Sequence, residues 1–187
     1  MRKNRLWALF VLLVLVALVA GCDSSGQPSV TLPPPSGASV DKQQPPASAG
    51  ETMQITVYYS TKDAMHLVPE VRTIPKNDHP AQSAIEQLLA DPTNPALVRT
   101  LPEGVKLRGV TVKDHVAYVD FNDKLVKGVR LGSAGEILAV GAIVNTLTEF
   151  TDVYKVQILV DGKKIDTLYG HLDTSEPLSR AESIIKK

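Results

Sequence analysis

From Gln54 to Ser60 the chain alternates Ile55, Val57 and Tyr59 with Thr56, Tyr58 and Ser60, a period of two that predicts a half-buried strand. Leu67 to Ile74 is less regular. Leu67, Val68, Val71 and Ile74 are apolar, but Pro69 interrupts the run and Pro75 closes it, which predicts an edge strand or extended arm with Glu70 and Arg72 facing solvent. The period then lengthens. Asp78 fits an N-cap, Pro80 a first helical turn, and Ala81, Ala84, Ile85, Leu88 and Leu89 form an amphipathic helical stripe that Asp91-Pro92 ends. Thr93 to Gly104, with Pro95 and Pro102, reads as a loop carrying one short helical turn around Ala96 to Arg99. Val105 to Val112 is a second strand, Lys113-Asp114 its turn, and His115 to Phe121 the returning arm of a hairpin. Ser133-Ala134-Gly135-Glu136 has the form of a capping box, and Ile137, Val140, Gly141, Val144, Leu147 and Phe150 continue one apolar face for four turns. Lys155 to Val160, the Asp161-Gly162 turn and Lys164 to Tyr169 predict a second hairpin. The order β-α-β-β-α-β-β predicts an α+β fold, a mainly antiparallel sheet with two helices packed on one face.

This pattern occupies only residues 53–187, which are 135 positions and enough for one core. Residues 1–21 differ: Arg2, Lys3 and Arg5 precede an apolar run of 14 residues from Leu6 to Val19, then the small pair Ala20 and Gly21. That is the layout of a signal peptide, and the run is shorter than the roughly 20 residues a membrane-spanning helix needs. From Asp23 to Thr52 the chain is rich in Ser, Gly, Gln, Pro and Ala without a hydrophobic period, so residues 22–52 are expected to be a disordered tether after Cys22, with a typical span of roughly 30 Å.

Composition narrows the chemistry. Twenty basic residues balance 20 acidic ones, which removes the basic footprint of a nucleic-acid binder. A single cysteine excludes an internal disulfide and a Cys-rich metal site. His66, His79, His115 and His171 lie in separate segments without metal-ligand spacing. Asp120-Phe121-Asn122-Asp123 lacks the central Gly and distant Glu of a calcium loop, so Asp120 reads as a strand-end residue. Phosphate-binding glycine loops and the G-x-S-x-G nucleophile motif are absent from the sequence. No catalytic residue, cofactor or metal ligand is assigned. Asn145-Thr146 interrupts an apolar helix; a structural role at the edge of the buried face competes with partner recognition. Arg72 and Arg180 have the fork geometry to hold a carboxylate, although surface arginines are commonly solvated or salt-bridged.

Two resemblances add to this reading. Leu18-Val19-Ala20-Gly21-Cys22 resembles a bacterial lipobox, which implies lipid attachment at Cys22 and retention on the outer face of the cell membrane, since more than one acyl chain gives stable anchoring. Past position 21 the chain carries 17 basic and 20 acidic residues, a formal charge of −3, so anionic lipid adds no electrostatic hold. The segments Ile55-Thr56-Val57-Tyr58-Tyr59, Leu67-Val68-Pro69-Glu70-Val71-Arg72, Leu101-Pro102-Glu103-Gly104, Ala117-Tyr118-Val119-Asp120-Phe121 and Ile143-Val144-Asn145-Thr146-Leu147-Thr148, with Asp161-Gly162 and Gly170-His171-Leu172-Asp173, resemble the GerMN domain of sporulation and spore-germination proteins, in a single copy from about Met53 to Arg180. The resemblance implies a non-enzymatic extracytoplasmic module, similar to ring-building folds of spore-envelope assemblies, with other envelope proteins or further copies of itself as partners. The alternative is a module that binds a cell-wall fragment or small ligand, which calls for a concave site with a few convergent polar groups.

Overall fold

The structure, a computed structural model, describes residues 50–128 and 131–187; the expected signal peptide, Cys22 and the expected tether up to Ala49 lie outside the described residues. Alternation in the first strand is realised as β1 (Thr52–Thr61), which pairs antiparallel with β2 (Leu67–Pro75), Thr52 opposite Pro75 and Ser60 opposite Leu67. β2 is an edge strand, as Pro69 leads one to expect. Pro69 stands opposite Tyr58, whose N–H turns away from β2 and donates to Thr146 Oγ1 at 3.2 Å, so the missing proline donor leaves the ladder intact. α1 (Pro80–Leu88) buries Ala84, Ile85 and Leu88 of the expected stripe. Its N-cap is His79 rather than Asp78, because Asn77 Oδ1 accepts the His79 N–H at 2.8 Å and sets the entry to Pro80. Where a helical turn was expected, β3 (Leu97–Val98) instead pairs with Ser60 and Thr61 of β1, completing a three-stranded sheet.

A second sheet holds β4 (Leu107–Lys113) and β5 (Val116–Phe121). Their hairpin turns at Asp114-His115, one residue later than the pattern predicts, with φ of 51° and 62°, the left-handed pair whose twist suits a two-residue turn. After β5 come a four-residue turn of helix, α2 (Lys124–Lys127), which buries Leu125, and then α3 (Ser133–Leu147). α3 carries the chain back so that β6 (Lys155–Val160) runs parallel to β5, Val116 opposite Lys155 and Phe121 opposite Val160. β7 (Lys163–Lys164) and β8 (Leu178–Ser179) pair antiparallel with the two ends of β6. The fold is α+β. Among the described residues its strands form two sheets rather than one, because β1 to β3 pair with none of β4 to β8, and one parallel pair lies among antiparallel ones.

α3 departs from the one-sided helix its stripe suggested. Every residue from Leu138 to Leu147 is buried, while Ile137 is 40% exposed. The helix packs on β1, β2, α1 and β6, and a helix apolar nearly all round belongs in the interior. β1 is likewise buried on both faces from Val57 to Ser60: α1 offers a carbonyl to the Tyr59 hydroxyl on one, and Glu149 and Arg180 meet the Tyr58 hydroxyl on the other.

Candidate functional site

Tyr58 and Tyr59 are neighbours in β1 and so point to opposite faces of the sheet. Each hydroxyl meets an arginine that is itself paired with a glutamate. Tyr59 donates to the Gln87 carbonyl of α1 at 2.6 Å and accepts from Arg72 Nη2 at 3.2 Å; the guanidinium stands 5.6 Å from the ring centroid. Arg72 also donates to the Asp91 carbonyl and pairs with Glu70 at 2.6 Å. Glu70 in turn accepts N–H groups from Thr93 and Asn94 at 3.1 and 2.9 Å. Arg72 and Glu70 are therefore largely buried, with 13% and 11% side-chain exposure, and the expectation that they face solvent is wrong: the 91–94 loop folds over them. Burial pushes the Tyr59 hydroxyl pKa up. It also works to raise that of Glu70, but the two N–H donors and the Arg72 charge outweigh it and hold the carboxyl below its usual range.

On the opposite face Tyr58 donates to Glu149 at 2.6 Å and accepts from Arg180 Nη2 at 2.6 Å, with the guanidinium 5.3 Å from the ring centroid. Arg180 pairs with Glu149 at 2.7 Å and with Glu182, and donates to the Asn145 carbonyl. Burial opposes its charge, yet the bonds to Glu182 and Tyr58 and the Glu149 charge raise its pKa further above the ordinary arginine value. Tyr58 is raised by burial and by its bond to Glu149, against the pull of Arg180.

Asn145 and Thr146 are fully buried. Asn145 brackets Ala181, donating to its carbonyl at 3.2 Å and accepting its N–H at 2.9 Å, while Thr146 accepts the Tyr58 N–H. Both serve internal backbone groups, the structural side of the two readings open to them. Glu136 makes no capping box. Gly132 is the N-cap, and the fully buried Glu136 carboxylate accepts N–H groups from Leu168, Tyr169 and His171 at 3.1, 2.9 and 2.9 Å. This draws the chain out of the sheet after Lys164, so the second hairpin keeps its Asp161-Gly162 turn but has only two residues of its return strand.

Asp120 lies next to the end of β5, and both its oxygens are taken, by Arg108 Nε at 2.9 Å and by the Gly162 N–H at 2.8 Å. That donor set neutralises the carboxylate with a guanidinium and a peptide, not a cation site. Among the described residues no group of three or more His, Cys, Asp or Glu side chains is placed to hold a metal ion. The four histidines stay apart: His79 caps α1, His171 gives its N–H to Glu136, His115 sits in the β4–β5 turn, and His66 lines an open depression of about 560 Å³ with Glu182, Ser183, Ile185 and Lys187. Tyr58, Tyr59 and Glu149 carry no local sign that they partner the two arginines, since spacings of 13 to 122 residues separate the members of these nodes.

These features define a class: an α+β module in which the strongest polar side chains hold its own loops and strands together. The Germane family, described as sporulation and spore germination, matches residues 56–166, and the chain belongs to it. The tandem GerMN domains of the sporulation protein GerM from Bacillus subtilis share 26% identity and a TM-score of 0.56 over 72% of this chain and 48% of that one. The chain thus spans about half the length of the tandem structure. The first GerMN domain alone superimposes with a TM-score of 0.59 at 22% identity, covering 68% of this chain and 98% of that domain, which speaks to fold. A Clostridium perfringens protein provisionally assigned as a lipoprotein matches at 26% identity and a TM-score of 0.51, over 68% of this chain and 87% of its own. No curated protein matches the chain.

Proposed function

We propose that the chain is an extracytoplasmic lipoprotein, anchored to the cell membrane through Cys22, whose GerMN-like domain is a non-catalytic interaction or scaffold module serving sporulation or spore germination. The observation that carries this reading is the commitment of Arg72, Arg180, Glu70, Glu136 and Glu149 to internal bonds; chemistry needs titratable groups free to meet a substrate, and these are fasteners. A surface for partners remains. Among the described residues β4 ends its sheet with β5 as its one strand neighbour, so its outer edge offers backbone donors and acceptors to another strand. Family membership supports the process, and the lipobox-like sequence supports the anchor.

Crosslinking of the membrane-bound protein in its native host, followed by mass spectrometry, tests the reading with Cys22→Ala as control. Discrete envelope-protein partners are expected for the parent, with the variant released from membranes and its partners lost. A variant that fractionates firmly with membranes would remove the anchor, and a parent without protein partners would remove the scaffold.

A further inference from the structure

The β4–β5 turn spends conformational energy on a histidine. Its two positions favour Asn-Gly, yet here Asp114 and His115 both lie at positive φ, 51° and 62°. For residues with a Cβ that costs on the order of 1 kcal/mol each. Such a strained residue persists where its surroundings fix it, and His115 is fixed from three directions. Its carbonyl accepts the N–H groups of Tyr154 and Lys155 at 2.9 and 3.3 Å, its Nδ1 meets the Asp152 carbonyl at 3.1 Å, and its ring stacks on Tyr154 with centroids 4.5 Å apart and planes 12° from parallel. Val153, 3% exposed, pins the same loop into the core. Tyr154 is nevertheless 62% exposed, and His115 is exposed beside it. The result is a stacked pair of aromatic rings, fixed to the turn by hydrogen bonds and held out to solvent.

We propose that this tip is a binding platform for a polysaccharide strand, with a sugar ring laid on the open face of Tyr154. The apolar face of a pyranose, made of C–H bonds, suits a flat, exposed, pre-ordered aromatic ring. The surroundings select among ligands that stack. Lys113 and Lys155 share one row across the sheet through Val116, Asp114 precedes His115 in the turn, and Asp152 gives its carbonyl to the His115 ring; all four residues are exposed. Two cations and two anions cancel, so a polyanion or polycation gains nothing, whereas sugar hydroxyls can donate to the carboxylates and accept from the ammonium groups. The site is open, which fits a polymer lying across it and not an enclosed small molecule. In the proposed envelope setting the available polymer is wall glycan, so that identification rests on the extracytoplasmic reading.

The full chain in detergent is to be sedimented with insoluble wall glycan stripped of protein and phosphate polymers, and in a parallel arm with cellulose. Retention of the parent is expected, with at least a fivefold loss for Tyr154→Ala. Tyr154→Phe, which keeps the ring, and Val71→Ala, 60% exposed on the other sheet, retain binding. Retention on wall glycan alone places the specificity in the wall sugars, and retention on both supports a general polysaccharide platform. No retention on either matrix, or equal retention of Tyr154→Ala, overturns the proposal. This assay detects no protein partner and reports no membrane attachment, so its failure leaves the crosslinking result standing, and the converse holds.

Discussion

Glu136 shows how a residue can satisfy a sequence rule and then be used for something else. The S-x-x-E spacing suits a cap, but in the fold its carboxylate is fully buried and accepts three peptide N–H groups from residues 168–171. Removing it strands one buried donor, at Leu168, and two part-buried ones, at Tyr169 and His171, and a buried donor left unmet costs about 1–3 kcal/mol. Glu136→Ala is therefore expected to lose about 3–5 kcal/mol in chemical denaturation, comparable to breaking a buried ion pair. Glu136→Gln, which retains one acceptor oxygen but turns an NH2 group on one of the donors, falls between the two. Equal stability of parent and Ala variant would show that the carboxylate is dispensable. The two tyrosine nodes give a pH profile of opposite signs. Glu70 is held below its unfolded value, so its contribution is present above the ordinary carboxylate range and is lost as pH falls through the lowered folded pKa. Tyr58 and Tyr59 are raised, so theirs is present below about pH 10 and is lost as pH rises through the raised folded values. Midpoints of denaturation across pH should show a plateau with losses at both ends; Glu70→Gln should flatten the acid limb, and Tyr59→Phe the alkaline one.

At the scale of elements, β1, β2, α1, the first hairpin and the Asp161-Gly162 turn were legible because each is written locally, in period, in Pro69 and Pro80, and in turn residues. The errors fall where distant segments decide. Ala96 to Arg99 has no strong period, and pairing with Ser60 and Thr61 made part of it a strand. The stripe of α3 was read as one face, whereas partners on several sides buried the others. Glu70 and Arg72 looked solvent-facing because the loop that covers them lies some 20 residues away, and nothing in the sequence announces that closure. Of the surface tip, His115 and Tyr154 are 39 positions apart and only the pairing of β5 with β6 brings them together. Thr146 tests the element junction most cleanly. Its hydroxyl accepts the Tyr58 N–H on the side of β1 that has, among the described residues, no strand partner at that position. Thr146→Val keeps the shape and removes the acceptor, so a loss of about 1–3 kcal/mol is expected, with faster amide exchange at Tyr58. Unchanged exchange there would mean the strand edge needs no help from the helix.

Across the whole described domain, the segment from Leu178 to Lys186 touches both sheets and the helix between their strands. Leu178 and Ser179 pair with β6 of the second sheet, Arg180 joins Tyr58 and Glu149, and Asn145 of α3 brackets Ala181. Ile184 lies against Gly141, where a side chain would collide with it, and the Lys186 N–H donates to the Leu67 carbonyl of β2 in the first sheet at 2.8 Å. This strap lies beyond residue 166, where the family match ends, yet it satisfies Asn145 and the Tyr58 node, which lie within the match. Ending the chain at Pro177 should therefore remove β8 and leave β1 to β7 formed, but with the buried Asn145 amide without its Ala181 partners and Glu149 without its Arg180 cation, Tyr58 remaining as its donor. The expected cost is about 3 kcal/mol from the lost bonds, or roughly 10 °C in melting midpoint for a domain of this size. Amide exchange locates the damage: protection should fall first at Tyr58, Leu67 and the C-terminal turn of α3, while the β5–β6 pair holds. Uniform loss of protection would instead make the strap part of the folding core, and no loss in midpoint would show that the two sheets are joined well enough through α3 alone.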